Sequence, residues 1–456
     1  MGGALGVVAM SAVVPGSGFW WAGRRVLGLV TMAMALAIFV GAVLYLPHDL
    51  RGALDFAFDP ARLEVSSVVL GVVLVLWTLV LALTFLMVRP VRVHRWVTGV
   101  GGVVVAALIL AVAVPAAVAS RYATVQAGFV KHVFENNQSA TAPEHVETAD
   151  PWAGRDRVNV LLLGGDGGPY REGVRTDSMI LVSVDTHTGR AVSFSLPRNM
   201  MNVPFPENSP LRQVFPNGFT GAGDPAAWML NAVYREVPIL YPHILGASTN
   251  EGADAIKQAF EGATGLPVDY YVLINFQGFQ QMVNAIGGVT VNINEPVAVN
   301  GDTDAGIPPT RYLQPGPDQH LDGFDALWFS RGRYGADDYQ RMDRQRCMIQ
   351  AIAERANPLN LLRNYQAVAK AGQELVRTDI PRALLPAFVD LGLKVKEHRL
   401  KSVVFRLDDH FNPGEPDFSY VHDTVAKALA PHRAHAHRPT AEQDSKDACA
   451  YHPQTP

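Results

Sequence analysis

Three apolar runs, residues 26–46, 68–88 and 97–119, hold no charged residue at all. Crossing a bilayer core takes about 20 helical residues at a rise of 1.5 Å each. A helix buried inside a protein core rarely goes that long without a charge on some face. The runs are therefore expected to be three transmembrane helices, and any fold that leaves them in water is excluded.

The flanking loops set a direction. Arg24 and Arg25 precede the first run, and the 89–96 loop carries Arg89, Arg92 and Arg95. The loop between the first two runs is mixed, with Arg51 and Arg62 against Asp49, Asp55, Asp59 and Glu64. Arginine-rich ends stay in the cytoplasm, so the third run leaves it and everything after residue 120 is expected outside. Residues 4–22 are also apolar but are interrupted by Pro15, Gly16 and Gly18. A fourth span, a re-entrant segment and an interfacial helix all fit that pattern. No basic stretch precedes it, so a cleaved signal peptide is not expected.

The averages of 48% hydrophobic and 18% charged residues conceal two unlike parts. Residues 1–134 hold nine Lys/Arg and four Asp/Glu, whereas the remaining 322 hold 29 and 38. The first part is a basic, charge-poor membrane region. The second has ordinary globular composition and a net charge of −9. An acidic domain outside the cell lacks the electropositive footprint of a nucleic-acid binder. A polytopic transporter is excluded because most of the chain is globular. The 30 arginines against eight lysines fit a GC-rich genome.

Residues 120–156 are expected to form a stalk, polar and proline-punctuated from 136 onward. A folded domain then starts near 157. Residues 158–163, 179–185 and 191–196 are predicted strands, the last two joined by a turn at 186–190. Ser248 or Thr249 is the predicted cap of a helix with Ala253, Ile256, Phe260 and Ala263 on its apolar face, stopped by Gly265 and Pro267. Residues 268–274, 276–286 and 289–293 are predicted as strand, helix and strand, which implies a right-handed βαβ crossover. A long helix is predicted over 339–356. The mixture predicts an α/β layered domain. Outside the membrane Cys347 and Cys449 could pair, but one falls on that helix and the other in a polar tail, so the sequence shows no disulfide framework and one buried and one tail thiol is the expected reading. The tail at 431–456, with His432, His435 and His437, is expected to be disordered.

Chemistry concentrates in two places. Arg331, Arg333, Arg341, Arg344 and Arg346 lie within 16 residues of a net-acidic domain. Arg331 and Arg333, two apart on an extended segment, would point the same way, and Arg341 and Gln345 share a helix face. Arginine without lysine suits bidentate phosphate recognition. A solvated helix face paired with acids would use the same residues. The second place is Asp166 and Asp177, at the ends of neighbouring predicted strands, with Arg175 beside them. Two such carboxylates suit one Mg²⁺, and ordinary turn acids are the competing explanation. Arg198, in Leu196-Pro197-Arg198-Asn199, adds an arginine at a sheet edge. No G-x-S-x-G, H-E-x-x-H, P-loop or C-x-x-C motif occurs.

Taken together, these residues resemble the LytR-CpsA-Psr family of cell-wall phosphotransferases. The likeness runs in order through Val158-Asn159-Val160-Leu161-Leu162-Leu163-Gly164, Arg175-Thr176-Asp177-Ser178-Met179, Ser195-Leu196-Pro197-Arg198 and Leu230-Asn231-Ala232-Val233-Tyr234. It continues through Asn275-Phe276-Gln277-Gly278-Phe279, Gly287-Gly288-Val289 and the arginine cluster to Gln345, covering residues 157–355. With the arginine skew it points to an actinobacterial member. The resemblance implies an α–β–α layered domain with a mixed central sheet and a hydrophobic pocket for a polyprenyl chain. The implied activity is transfer of a glycopolymer from a polyprenyl-pyrophosphate donor to a peptidoglycan hydroxyl. Carried over by motif, Asp166 and Asp177 would hold Mg²⁺. Arg175, Arg198, Arg331, Arg333, Arg341 and Gln345 would bind the pyrophosphate, with Asp177, Arg175, Arg331 and Arg333 as the catalytic set. The implied partners are the lipid-linked donor, peptidoglycan and the membrane, with no nucleic acid. The expected organisation is a membrane region at 1–119, a stalk at 120–156, a catalytic domain at 157–430 and the tail. The family commonly has Asp after the strand-end Pro-Arg, where this chain has Asn199. A membrane sensor or scaffold that binds a polyprenyl phosphate without turning it over is the alternative.

Overall fold

The computed structural model describes residues 2–89, 95–134, 138–143, 150–166, 175–301, 306–355, 367–369, 376–398, 400–430, 442–444 and 449–452. At Leu50, Arg51, Arg95, Val97, Asp166, Arg175, Asp177 and 442–444 it describes the backbone alone. The chain divides into two units, Met1–Val130 and Lys131–Pro456.

The first unit is helical: α1 (Gly2–Val13), α2 (Ser17–Trp21), α3 (Arg25–Tyr45), α4 (Leu50–Ala57), α5 (Pro60–Val88) and the start of α6 (Arg95–Phe134). Three stretches are long and apolar enough to cross a membrane: Arg25–Tyr45, Pro60–Val88 and Thr98–Phe134. Val26 and Leu44 are each 77% exposed, as suits side chains that face lipid rather than a protein core. At 12 residues α1 is about 18 Å long, too short for the roughly 30 Å of a bilayer core. It packs against α5 and α6 through Val8, Leu81 and Val105. α1 alone is thus too short to span, and residues 4–22 are split between α1 and α2. Asp59 caps α5, accepting from Ala61 N at 3.0 Å and Arg62 N at 3.3 Å, with Pro60 at the first helical position.

The second unit is built on a mixed sheet of β1 (Arg157–Asp166), β2 (Arg175–Asp185), β3 (Ala191–Ser195), β4 (Tyr270–Asn275), β9 (Val376–Thr378) and β10 (Lys401–Val404), extended at one edge by β11 (Glu442–Asp444). The order is β11-β10-β3-β2-β1-β4-β9. β1 is parallel to β4 and β3 to β10, while β2 is antiparallel to both β1 and β3. Smaller ribbons pair β5 (Val289–Ile293) with β8 (Gly316–Leu321), and β6 (Val297–Val299) with β7 (Arg311–Leu313).

Strand alternation sends neighbouring residues to opposite faces. Leu161, Leu163, Leu181, Tyr271 and Leu273 enter one core, with α7 (Pro210–Val214), α8 (Val233–Leu240), α9 (Glu251–Thr264) and, on its far side, the later helix Phe418–Leu429. The intervening residues Leu162, Ile180, Val272 and Ile274 face α10 (Phe276–Ala285), α11 (Gly323–Arg331) and α12 (Asp338–Arg355). Both faces are covered, so the strands read as unbroken apolar runs. Leu385–Lys396 and Phe418–Leu429 complete the helices as α13 and α14.

Several expectations are corrected. β5 does not return to the main sheet, so β4, α10 and β5 do not form a βαβ crossover. The place beside β4 belongs to β9, and β5 is buried on one face only, with Thr290 exposed. Asn250, not Ser248 or Thr249, caps α9; its side chain accepts from Ala253 N at 3.2 Å. The two hydroxyls instead donate to Gln138 O. The stalk is thus partly docked. Buried Asp254 of α9 accepts from Ser139 Oγ at 2.6 Å, Thr141 Oγ1 at 2.7 Å and Ala140 N at 3.1 Å. The tail is not wholly disordered either, because β11 joins the sheet. Cys347 and Cys449 form a disulfide, Cα to Cα 5.5 Å, closing 102 residues. What brings Cys449 to α12 is a set of side-chain contacts along β5 and its end. Asn292 Nδ2 donates to Cys449 O at 2.9 Å, Asn294 Nδ2 to Ala450 O at 3.1 Å, and His452 N to Asn294 Oδ1 at 2.8 Å. His432, His435 and His437 lie outside the described residues.

Candidate active site

The sheet topology gathers the chemistry at one edge. β1, β3, β4 and β10 run the same way, so their carboxyl ends lie together, as does the start of antiparallel β2. Asp166 ends β1, Arg175 starts β2, Arg198 follows β3 and Asn275 ends β4. Ligands of open α/β sheets bind beyond such carboxyl ends. Asp166 is directly across from Arg175 and Gly165 across from Thr176, whereas Gly164 faces Ser178. Asp177 is therefore the extra residue of a β-bulge, a device that recurs next to active sites. The side chains of Asp166, Arg175 and Asp177 lie outside the described ones.

On the α10–α12 face the sheet leaves a cavity of about 340 Å³. Its walls are apolar: Leu162, Ile180, Val272 and Ile274 from the sheet, Phe279 and Met282 from α10, and Met348, Ile349 and Ile352 from α12. The polar side chains lining it are Ser178, Ser330, Arg331 and Gln345. The Arg331 guanidinium carbon stands 4.3 Å from the centroid of Phe276 and 4.6 Å from that of Trp328, a cation–π arrangement that holds the charge at an apolar wall. An apolar chain ending in an anionic head is the kind of molecule such a cavity accommodates.

The arginine cluster separates by role. Arg331 is the last residue of α11, not part of an extended segment, because Asp322 caps that helix and Gly332 ends it. Arg331 lines the cavity; Arg333, half-buried on the next turn, is not among its lining residues. Arg341 is buried on α12 and donates to Asp338 Oδ2 at 2.9 Å. The other oxygen of Asp338 accepts from Arg198 Nε at 3.2 Å, so a single carboxylate joins two arginines from separate segments. Asn199 is exposed. Arg344 donates from Nε to Phe329 O at 2.7 Å and from its terminal nitrogen to Gly332 O. Burial lowers its pKa to about 10, against the raising influence of Glu295, Asp343 and Asp337. Arg346 pairs with Asp343 at 3.2 Å, and Arg406 also reaches that carboxylate. Arg344 and Arg346 thus brace the structure and stand apart from the cavity's polar lining.

Sequence reasoning missed Asp338, Ser178 and the aromatic pair under Arg331. Asp338 carried a readable signal, an acid three residues before Arg341 on one helix. Phe276 and Trp328 carried none, since their meeting depends on how α10 and α11 pack. Among the described residues no group of three His, Cys, Asp or Glu side chains is placed to hold a metal.

The fold and site so far define a layered α/β domain whose apolar cavity has Arg331 among its few polar side chains. The LytR_cpsA_psr family model matches residues 123–430, and the chain belongs to that family. It is similar to the polyisoprenyl-teichoic acid–peptidoglycan teichoic acid transferase TagU of Oceanobacillus iheyensis, 30% identical over 237 residues, which are 50% of this chain and 60% of that protein. The TagU of Enterococcus faecalis is 27% identical over 265 residues, 56% of this chain and 73% of that protein. Among solved structures, Bacillus subtilis TagV is 22% identical with a TM-score of 0.43, covering 60% of this chain and 97% of that one. This chain thus spans 60% of the length of the Oceanobacillus relative.

Proposed function

We propose that this protein is a membrane-anchored phosphotransferase. It moves a glycopolymer from a polyprenyl-pyrophosphate donor to a peptidoglycan hydroxyl and forms a phosphodiester link. The observation that carries the reading is the apolar cavity with Arg331 among its few polar side chains. Family membership and the names of the transferase relatives support it. The donor's isoprenoid chain lies along Leu162, Ile180, Phe279 and Ile352, and its pyrophosphate sits at the carboxyl edge of the sheet. There Arg175, Arg198, Arg331, Arg333 and Arg341 neutralise its charge. The acceptor oxygen attacks the phosphorus that carries the glycan, its hydroxyl proton passes to solvent, the phosphoanhydride P–O bond breaks, and polyprenyl phosphate leaves with the electron pair. A phosphate leaving group needs little covalent help, so charge neutralisation and alignment do most of the work.

Two carboxylates at one strand edge fit Mg²⁺, which takes one or two protein carboxylates and fills its shell with phosphate oxygens and water. Asp166 and Asp177 would hold it, on the register that pairs Asp166 with Arg175 and makes Asp177 the bulge residue. When bound it supplies positive charge to the pyrophosphate oxygens. The basic ends of the apolar helices support an orientation with residues after 120 outside the cell, where tethering raises the effective concentration of a membrane-bound donor.

Full-length protein supplied with Mg²⁺ and a polyprenyl-pyrophosphate glycan should release polyprenyl phosphate. Arg331→Ala should lower turnover by about a hundredfold or more, the scale of removing one donor to developing charge. Asp177→Ala should do likewise, and neither should shift the thermal midpoint appreciably. Full turnover in either variant would show the site to be misassigned. Protease added to intact cells should remove the domain after residue 120; complete protection would reverse the orientation.

A further inference from the structure

Two serine hydroxyls line the cavity, Ser178 and Ser330, and their surroundings hold them differently. Gln345, 8% exposed on α12, donates from Nε2 to Ser330 O at 3.2 Å and to Ser178 Oγ at 2.6 Å. A carbonyl oxygen can only accept, so Ser330 O fixes which end of the amide faces it. The same nitrogen then necessarily donates its second proton to Ser178. Both protons of the Gln345 amide are thereby engaged inside the protein. The Ser330 hydroxyl is engaged too, donating to Ala326 O at 2.9 Å within its own helix. Ser178 differs. Its oxygen is held as an acceptor, and its own proton has no acceptor among the described residues. Ser178 lines the cavity beside Gly164, where an added Cβ would come within 3.0 Å of the serine Cβ, so β1 closes off that side.

We infer that Ser178 donates a hydrogen bond to the lipid-side phosphoryl oxygen of a prenyl pyrophosphate, and that Gln345 is the positioning residue that aims it. The inference rests on the proposed lipid-phosphate reading of this cavity and names a contact that reading did not include. Ser178 is next to Asp177 on β2 and on the cavity face of the sheet, where the apolar chain would meet the phosphate. The phosphate there becomes the leaving group, so a fixed donor meets charge that grows as the phosphoanhydride bond breaks. No proton is transferred; the hydroxyl only shares it. The role of Gln345 then differs from direct binding of the pyrophosphate, since it acts through the serine.

The test measures binding of farnesyl pyrophosphate and of farnesol to the full chain in lipid nanodiscs. A hydrogen bond to a charged group corresponds to about a tenfold to hundredfold loss on removal. Ser178→Ala should therefore weaken farnesyl pyrophosphate at least tenfold and change farnesol less than twofold. Gln345→Met should weaken the pyrophosphate comparably. The double variant should be no weaker than Ser178→Ala, because the two residues act in series. Wild-type affinity for farnesyl pyrophosphate in Ser178→Ala would overturn the inference and leave the cavity reading intact. So would an equal loss for farnesol, which would make the hydroxyl structural. Additive losses in the double variant would remove Gln345 from its positioning role. Failure of the wild-type protein to bind farnesyl pyrophosphate would overturn the cavity reading itself, and this inference with it.

Discussion

Asp338 takes Arg198 on one oxygen and Arg341 on the other, and this settles how an arginine after β3 is held when the residue beside it is Asn199. Asn199 is exposed, whereas Asp338 reaches Arg198 across 140 residues of sequence. A carboxylate between two guanidiniums forms charge-assisted hydrogen bonds in a half-buried setting, which are stronger than neutral ones. Asp338→Asn keeps the shape and removes the charge that binds both arginines. It should lower donor turnover about tenfold, the cost of one such bond, whereas Asn199→Asp should change it less than twofold. Steady-state kinetics on the two variants checks both expectations. At this scale the sequence showed which residue types gather and less of what each does. Arginine spacing singled out Arg331, which lines the cavity, and Arg341, which is buried on α12. It could not show that Arg344 turns back onto Phe329 O and Gly332 O, because that depends on where α11 ends.

Helix α12 is the element on which most of this converges. One face carries Met348, Ile349 and Ile352 to the cavity, while Arg344 and Gln345 hold the carbonyls that end α11. Gly332 is required in that turn because an added Cβ would lie 2.6 Å from Ala298 O. Helices with an Asp or Asn cap and a glycine stop were legible in outline, as α9 shows, to within a residue at the cap. The βαβ crossover was not, because a helix between two strands does not reveal whether the second strand returns to the same sheet. The disulfide was missed for a related reason: asparagine contacts at β5, invisible in the tail's own composition, bring Cys449 to α12. Linking residues 102 apart restricts the unfolded chain, which gives an expected contribution of about 2–4 kcal/mol. Cys449→Ser should lower the unfolding free energy by that amount in urea, and with it the midpoint, without altering the fold, as circular dichroism would show. An unchanged midpoint would mean the bridge constrains little.

At the scale of the whole molecule, a charge-poor helical unit and a net-acidic layered domain share one chain, and each follows from its own composition. The layered domain depends on buried polar links as well as apolar packing. Lys257 donates to Asp379 at 2.6 Å and to Asp269 O at 2.9 Å, with both charged side chains almost wholly buried. Burial raises the Asp379 pKa against the pull of Lys257. Nearby, burial pushes Tyr270 up from 10.0 to about 12 and moves Tyr271 in the same direction. A raised folded pKa means the native state holds the proton more tightly. Its stabilising contribution is complete below the unfolded value near 10 and is lost as pH rises through the folded one. The domain should therefore lose stability between about pH 10 and 12, with these phenolates forming only as it unfolds. Phenolate absorbance followed beside circular dichroism checks this; early, reversible ionisation of every tyrosine would contradict it.

What separates a transferase from a protein that merely retains a lipid phosphate is turnover. Its most direct measurement is the amount of polyprenyl phosphate released per protein molecule from a polyprenyl-pyrophosphate glycan, with Mg²⁺ and peptidoglycan present. Many equivalents are expected from the wild-type chain and almost none from Arg331→Ala. Tight, stoichiometric binding of the donor with no release over long incubation would contradict this and leave a binding protein in place of a transferase.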